Sequence, residues 1–276
     1  MLAATLWFSL MNLCVKMMPE MPIPVVLLFR AVITLSFSAW QIRQLGLMPW
    51  GNNKPVLWLR GLFGTGGLAL YFITLQNIPL AGAVTLQYLS PIFTLIFTRI
   101  VLGEKFKWIQ GLFFILSFIG VYVIGHTDER LTWIWIATGI GSAVFSGLAY
   151  TMIRKAARTE HPVVVVFYFP LIALPLVGIW SYFDWKNPEG LEWIWLIGTG
   201  LATQFAQLAM TKAFMQEKAA KVSSLQYLGL LYALILGWLF FGEGFDWKTL
   251  IGMGLVLVGI VGNVVLRNTK KQYNSK

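Results

Sequence analysis

Apolar residues run through this chain in stretches close to the ~20 residues that a helix needs to cross a bilayer. They fall at about 2–18, 22–42, 56–75, 80–102, 107–125, 132–153, 162–183, 192–213, 219–241 and 248–266. In lipid every backbone N–H and C=O must be satisfied within the protein, so only helices and closed barrels span it. Barrel strands appear as short alternating segments, whereas these runs are long and continuous. The expected fold is therefore an all-α integral membrane protein with ten transmembrane helices. Little chain remains for a soluble domain, and only 12% of residues are charged, against about 25% in soluble proteins. The chain opens straight into an apolar run without a basic leader or cleavage site, which reads as a first span rather than a removable signal.

The net charge of +10 could suggest nucleic acid, but its distribution argues against that. With the N-terminus placed in the cytoplasm, 16 Lys and Arg fall inside, Arg60 among them, and 5 fall outside, including Lys16 and Arg30. That asymmetry is the positive-inside pattern of a multi-pass membrane protein. Both termini are expected in the cytoplasm, the bilayer is the expected surroundings, and no nucleic-acid partner is implied. Cys14 is the only cysteine, which excludes an intrachain disulfide and a thiolate metal cluster.

The chain also repeats itself. Leu86-Gln87-Tyr88-Leu89 returns 139 positions later as Leu225-Gln226-Tyr227-Leu228. The same shift carries Ala81 onto Ala220, Gly103-Glu104 onto Gly242-Glu243, Phe106 onto Phe245, Trp108 onto Trp247 and Gly120 onto Gly259. Each copy holds five spans. An odd number turns the second copy over relative to the first, the inverted repeat of many secondary transporters.

Polar residues inside the spans mark candidate sites. The first span carries Thr5, Ser9 and Asn12 on one helical face, and Met18 to Pro22 reads as a proline-bounded turn. Arg30, about eight residues into the second span, costs ~2.5–3.5 kcal/mol at that depth on insertion scales, so it faces protein or water. It either ties down neighbouring carbonyls or holds an anionic substrate group. Glycines 61, 64, 66 and 67 open the third span; with no preceding strand and no following Lys they are not a phosphate loop, and small residues let helices approach closely. In the fourth span Gln87, Ser90, Pro91 and Thr94 form one stripe, and Pro91 predicts a kink. Thr138, Ser142, Ser146 and Tyr150 stripe the sixth span beside the small residues Gly139, Ala143 and Gly147. Thr199, Thr203, Gln207 and Thr211 stripe the eighth. Such a stripe is either packing glue or cavity lining, and its recurrence on several spans favours a shared polar interior. The fifth and tenth spans lack polar cores and read as scaffold, or as a face turned to lipid or to a second copy in a homodimer. The Gly-Glu turns read as helix punctuation.

The run from Gln207 to Phe214, then Leu225-Gln226-Tyr227-Leu228, then Gly237 to Glu243, resembles the EamA family of the drug/metabolite transporter superfamily. Pro91 to Glu104 is similar to the same unit in the first half. The resemblance implies two EamA-type repeats of five helices, 1–126 and 132–267, with a basic cytoplasmic tail over 268–276. It implies a bacterial inner-membrane carrier, often exporting, that takes small organic solutes in a cavity between the halves. One departure is Gly229-Leu230 in the ninth span, where relatives place a proline.

The leading expectation is a secondary transporter, an exporter or exchanger of amino acids or drug-like metabolites, working by alternating access. Its substrate-binding candidates are Trp7, Asn12, Arg30, Tyr71, Gln87, Tyr88, Ser146, Tyr150, Gln207, Gln226 and Tyr227. No catalytic residue, metal site or cofactor is expected, since clustered His, Asp, Glu or Cys are missing. A channel or scaffold is the alternative, and a membrane enzyme a more distant one. No acid falls at mid-membrane in this assignment, and His126 and His161 lie at span ends, so exchange or facilitated movement is expected rather than coupling through a central acid.

Overall fold

The computed structural model describes residues 1–103, 132–216 and 228–273, together with Leu112, Phe113, Ile115, Leu116, Ile119, Gly120, Tyr122 and Val123. Its helices are α1 (Leu2–Lys16), α2 (Ile23–Gln44), α3 (Lys54–Asn77), α4 (Leu80–Gln87), α5 (Ser90–Leu102), α6 (Trp133–Ala156), α7 (Pro162–Phe183), α8 (Glu192–Gln216), α9 (Leu228–Phe241) and α10 (Trp247–Tyr273). Among the described residues, five segments are long and apolar enough to cross a membrane, with α4 and α5 counted as one of them. Glu104, Phe106, Trp108, His126, Gln226 and Tyr227 lie outside the described residues.

Local chemistry sets the helix ends. Proline occupies the first or second position of α2, α3, α5 and α7, where its missing N–H has no intrahelical partner to lose. Gly103 and Gly242 close α5 and α9 with φ of +68° and +59°, the left-handed conformation in which glycine carries no penalty. The expected kink in the fourth span is a two-residue interruption, at Tyr88 and Leu89, whose backbone stays in the right-handed region. Pro91 offers no N–H, and its ring collides with the carbonyl four residues back, at Gln87. The helix accordingly stops at Gln87 and restarts at Ser90.

The 139-residue shift governs boundaries as well as motifs. Moved by that amount, α2 lands on α7 end to end, and α3 lands on α8 within one residue. The major contacts cross between the halves: α3 packs on α6 and α1 on α8, while α2 meets both α7 and α8. Glycines allow these approaches. A Cβ on Gly147 would lie 2.9 Å from the backbone nitrogen of Thr94, and one on Gly139 would lie 2.6 Å from Leu86. The small-residue stripe of α6 is thus a seat for α4 and α5. The scaffold reading of the fifth and tenth spans also has contacts behind it, since Gly120 abuts the carbonyl of Gly252.

The bundle is layered. One apolar core gathers Met11, Val15, Leu27, Phe72, Leu75, Leu86 and Leu196. A second, at the opposite end, gathers Ala4, Ile42, Leu57, Ile153, Val165 and Phe214. Each of α1, α2, α3, α6, α7 and α8 contributes to both. Between the two contributions lie the buried polar residues: Ser9 on α1, Arg30 and Ser38 on α2, Arg60 on α3, Ser146 on α6, Thr203 and Gln204 on α8. The outer surface is apolar, with exposed Val32, Leu62, Ile179 and Ile194. Exposed tryptophans sit near helix ends, Trp40 and Trp58 at one face, Trp133, Trp185, Trp193 and Trp247 at the other. That placement is the aromatic belt of a membrane–water interface.

The packing makes a prediction about Gly147. Gly147→Ala must displace backbone of α5, and overpacking of this kind costs about 1–3 kcal/mol. At Gly178 nothing lies within 4 Å of a built Cβ. Thermal unfolding in detergent is expected to show a lower midpoint for Gly147→Ala and no loss for Gly178→Ala; equal midpoints would contradict the tight α5–α6 seat.

Candidate functional site

A cavity of about 120 Å³ lies within the polar layer. At about 30 Å³ of liquid volume per water, it has room for roughly four waters. Its wall combines Thr5, Phe8, Ser9 and Asn12 of α1, Arg60, Gly64 and Tyr71 of α3, Gln87 of α4 and Ser90 of α5 with Ser146 and Tyr150 of α6, Phe169 of α7, Gln207 of α8 and Gly229 of α9. Both halves of the chain therefore contribute, and the polar groups are set among apolar ones, Met1, Met11, Leu68, Val84 and Ala149 included.

Of the expected site residues, Asn12, Tyr71, Gln87, Tyr88, Ser146, Tyr150 and Gln207 come together on this wall. Trp7 and Arg30 do not line it. Trp7 stacks on Phe205, with ring centroids 5.0 Å apart, and Arg30 is set one layer back. Gln226 and Tyr227 fall outside the described residues.

Gln87, at the very end of α4, is fixed by the α6 stripe. Its Nε2 donates to Ser146 Oγ at 2.9 Å. Ser142 Oγ donates to its Oε1 at 2.8 Å and also contacts the Gly67 carbonyl at 2.7 Å. The α6 stripe is therefore glue and lining at once, because Ser142 binds α3 and α4 while Ser146 binds α4 and borders the cavity. Tyr88 reaches towards α9: a Cβ on Gly229 would stand 2.2 Å from its hydroxyl oxygen. That close approach accounts for glycine at 229, the position shift-related to Ser90, just ahead of the missing proline.

The charged part of the site is a stack of two guanidiniums on one ring. The Arg30 guanidinium carbon lies 4.7 Å from the centroid of Phe169, and that of Arg60 lies 4.9 Å from it. Arg30 Nε donates to Thr203 Oγ1 at 3.1 Å; Arg60 Nη2 donates to Gln207 Oε1 at 3.2 Å. The side chains are 1% and 2% exposed, and among the described residues neither has an acidic partner. A cation over an aromatic face gains about 2 kcal/mol or more when desolvated, which offsets part of the burial cost. Two atoms of the pair, Arg30 Nη2 and Arg60 Nε, are buried without a hydrogen-bond partner, as is Asn12 Oδ1. Each such orphan costs about 1–3 kcal/mol, more for a charged group.

Arg60 is the residue the sequence reading misplaced. Counted there as an inner-surface charge, it is instead buried at the cavity wall. Proximity to the start of α3 hid it. The available signal was Gly64, one helical turn on, because a Cβ there would lie 2.1 Å from Arg60 Nη1. Phe169 was also missed: a phenylalanine in an apolar helix carries no mark of a cation partner. The polar stripe on α8 has a clear task, with Thr203 and Gln207 serving the arginines, and Gln204 accepting from Ser38 at 3.2 Å.

A second charged cluster closes the bundle where α1 ends. Lys16 Nζ lies 2.6 Å from Glu243 Oε1, donates to the Ile78 carbonyl at 2.8 Å, and sits 5.4 Å from the Phe241 ring centroid. The Glu243 carboxylate accepts from Leu80 N, the first residue of α4, at 2.9 and 3.1 Å. A carboxylate at a helix N-terminus is favourable. This corrects the punctuation reading of the second Gly-Glu turn: Gly242 does end α9, but Glu243 caps a helix of the other half. His161 caps α7 through Nδ1, which accepts from Val163 N at 3.4 Å. Among the described residues, no group of three or more His, Cys, Asp or Glu is placed to hold a metal ion.

Comparison with known proteins fits this arrangement. A solved crystal structure superposes with a TM-score of 0.73 over 99% of this chain and 96% of its own, at 17% identity, which establishes the shared fold. The pseudopaline exporter CntI of Pseudomonas aeruginosa is 31% identical over 97% of this chain and 94% of its own length. Solute carrier family 35 member G1 of Mus musculus is 26% identical over 94% of this chain and 76% of its own. The riboflavin transporter of Vibrio cholerae is 24% identical over 94% and 90%. These relatives are transporters rather than enzymes, and this chain is a multi-pass membrane transporter as well. The model of the EamA-like transporter family matches residues 1–125 and again 133–265, and with both halves matched the chain belongs to that family.

Proposed function

We propose that the protein is a secondary carrier of small organic metabolites, an exporter or exchanger, and that it works by alternating access between two inverted five-helix repeats. The observation carrying this reading is a chamber with polar and charged groups in its wall between two apolar cores, with the Lys16–Glu243–Leu80 cluster towards one end and Met1 towards the other. A carrier needs a mid-membrane chamber that only one side reaches at a time. Substrate size is bounded by the chamber, and its polar and aromatic wall suits amino acids or drug-like solutes.

The inverted relation is supported by chain direction, since α2 runs from the first apolar core to the second and its equivalent α7 runs the other way, and the Arg30–Phe169 contact marks where the axis would lie. These residues are 139 apart, so they are equivalents in the two copies. Equivalents meet only where both lie beside the pseudo-two-fold axis. The axis would then pass through the guanidinium–ring stack next to the chamber, as alternating access requires. On the positive-inside pattern the α1 start, and with it the chamber's reach to Met1, would face the cytoplasm with both termini inside, in what we take to be a bacterial inner membrane. The Lys16–Glu243 cluster becomes an outer seal.

Two measurements test the reading. Reconstituted in liposomes preloaded with a transported metabolite, the protein should show saturable uptake and counterflow; conductance that rises linearly with concentration would mean a channel instead. The seal is tested by cysteine accessibility in a Cys14→Ser background with Ser9→Cys as the reporter in the chamber wall. An impermeant thiol reagent should reach Ser9→Cys from the cytoplasmic side and not from outside. Glu243→Gln breaks a buried pair, a loss of about 3–5 kcal/mol, equal to two or more powers of ten in a two-state ratio. Labelling from outside should then appear. If it stays absent, Lys16 and Glu243 are not the seal.

A further inference from the structure

We infer that the carried solute bears a carboxylate, bound by Arg60, and a hydrogen-bond donor, received by Asn12. The inference rests on the reading of the cavity as the transport chamber and deepens it by naming the chemistry of its occupant.

The chamber is electrostatically one-sided. Among the described residues Arg60 is the one wall residue with a charged side chain, and Arg30 stands behind it against the same Phe169 ring. Among the described residues no Asp or Glu lines it. The described acids that are not exposed are engaged elsewhere. Glu243 holds Lys16 and Leu80. Glu160 accepts from Asn52 N. Glu192 lies near Lys186 and accepts from Glu189 N. Arginine keeps its proton in proteins, so the chamber retains positive charge. Water can screen that charge in the empty site, but a solute that displaces the water must replace the screening. A cation would raise the energy of the site and a neutral amide would leave it uncompensated. A carboxylate neutralises it with the planar, two-oxygen geometry that a guanidinium matches.

The unpartnered atoms give the polarity of binding. Arg60 Nε is a donor without an acceptor, and Asn12 Oδ1 is an acceptor without a donor. Both atoms are buried, so a solute that presents an anionic acceptor to α3 and an N–H or O–H to α1 completes them as these two side chains turn into the chamber that they line. Gly64 belongs to the same device. Its missing Cβ is the space that Arg60 Nη1 occupies, with Phe169 packed 2.9 Å from that point, so glycine sets the path of the guanidinium along the wall. Gln207 fixes its other edge. Tyr150, stacked on Phe214 at 5.3 Å, and Phe8 and Tyr88 offer apolar surface to the remainder of the solute.

The test uses the purified full chain in detergent and pairs of probes that differ only at the acid: benzoate and benzamide, L-tyrosine and L-tyrosinamide, succinate and succinamide, with choline as a cation. Thermal unfolding is followed across a concentration series of each. At least one carboxylate should stabilise the protein at concentrations tenfold or more below its amide, and choline should not stabilise it. In Arg60→Gln the preference for acid over amide should vanish, and Arg60→Lys should recover part of it. Gly64→Ala, which keeps the charge but pushes it aside, should weaken carboxylate stabilisation by about tenfold and leave choline without effect. That variant supplies the answer if Arg60→Gln does not fold. Asn12→Leu should weaken L-tyrosine, which carries an N–H donor, more than benzoate, which has none. A panel in which no carboxylate outperforms its amide overturns the inference, as does acid preference that survives Arg60→Gln. Saturable counterflow of a neutral solute without acid preference would leave the carrier reading standing and refute this one; counterflow absent for every probe that binds would refute the carrier reading instead.

Discussion

Two guanidiniums buried around one phenyl ring are the constraint that the rest of this bundle accommodates. A charge inside a membrane protein has few tolerable environments: an opposite charge, backbone carbonyls, an aromatic face, or water. Here no described acid serves Arg30 or Arg60, so the ring of Phe169, the oxygens of Thr203 and Gln207, and an adjoining wet cavity share the task. Each provider is on α7 or α8, while both arginines are on α2 and α3. The charges therefore join the two halves of the chain, and the cavity exists where they need it.

The layering follows from the same requirement. Apolar packing fills each end of the bundle, and polar residues concentrate in between, on nearly every helix that passes through. A uniform apolar core would strand the arginines; a polar core throughout would leave little to hold the helices together beyond small-residue contacts. The break between α4 and α5 lies at this level, where a helix with unsatisfied carbonyls can border protein or water and never lipid. Pro91 sets the break, and Gln87, the last residue before it, is the side chain that Ser142 and Ser146 fix across the gap.

Much of the fold was legible in the sequence because the bilayer simplifies the problem. Among the described residues run lengths gave five of the expected spans, proline and glycine gave several of their ends, and the repeat pointed to paired halves. The site was only partly legible. Gln87, Ser146, Tyr150 and Gln207 announced themselves as amides and hydroxyls on helical stripes, and the cavity gathers them. Arg60 did not, because a basic residue near a span end normally snorkels to the surface. Its true position depends on Gly64, Phe169 and Gln207, three contacts from three helices that no local pattern contains. Glu243 failed to stand out for a similar reason: its partners, Lys16 and Leu80, are more than 160 positions away, and its neighbours in sequence suggest an ordinary turn.

The capping of α4 by Glu243 has a mechanical consequence. With eight residues rising about 1.5 Å each, α4 is a stub roughly 12 Å long. Its first amide is held by a carboxylate from the opposite half, and its last residue, Gln87, is wedged between two serines of α6. Such a short rod has little room to flex, so it relays displacement from end to end almost undiminished. Whatever loosens the carboxylate's grip must therefore be felt by the amide, and an occupant that tugs on the amide must be felt at the carboxylate.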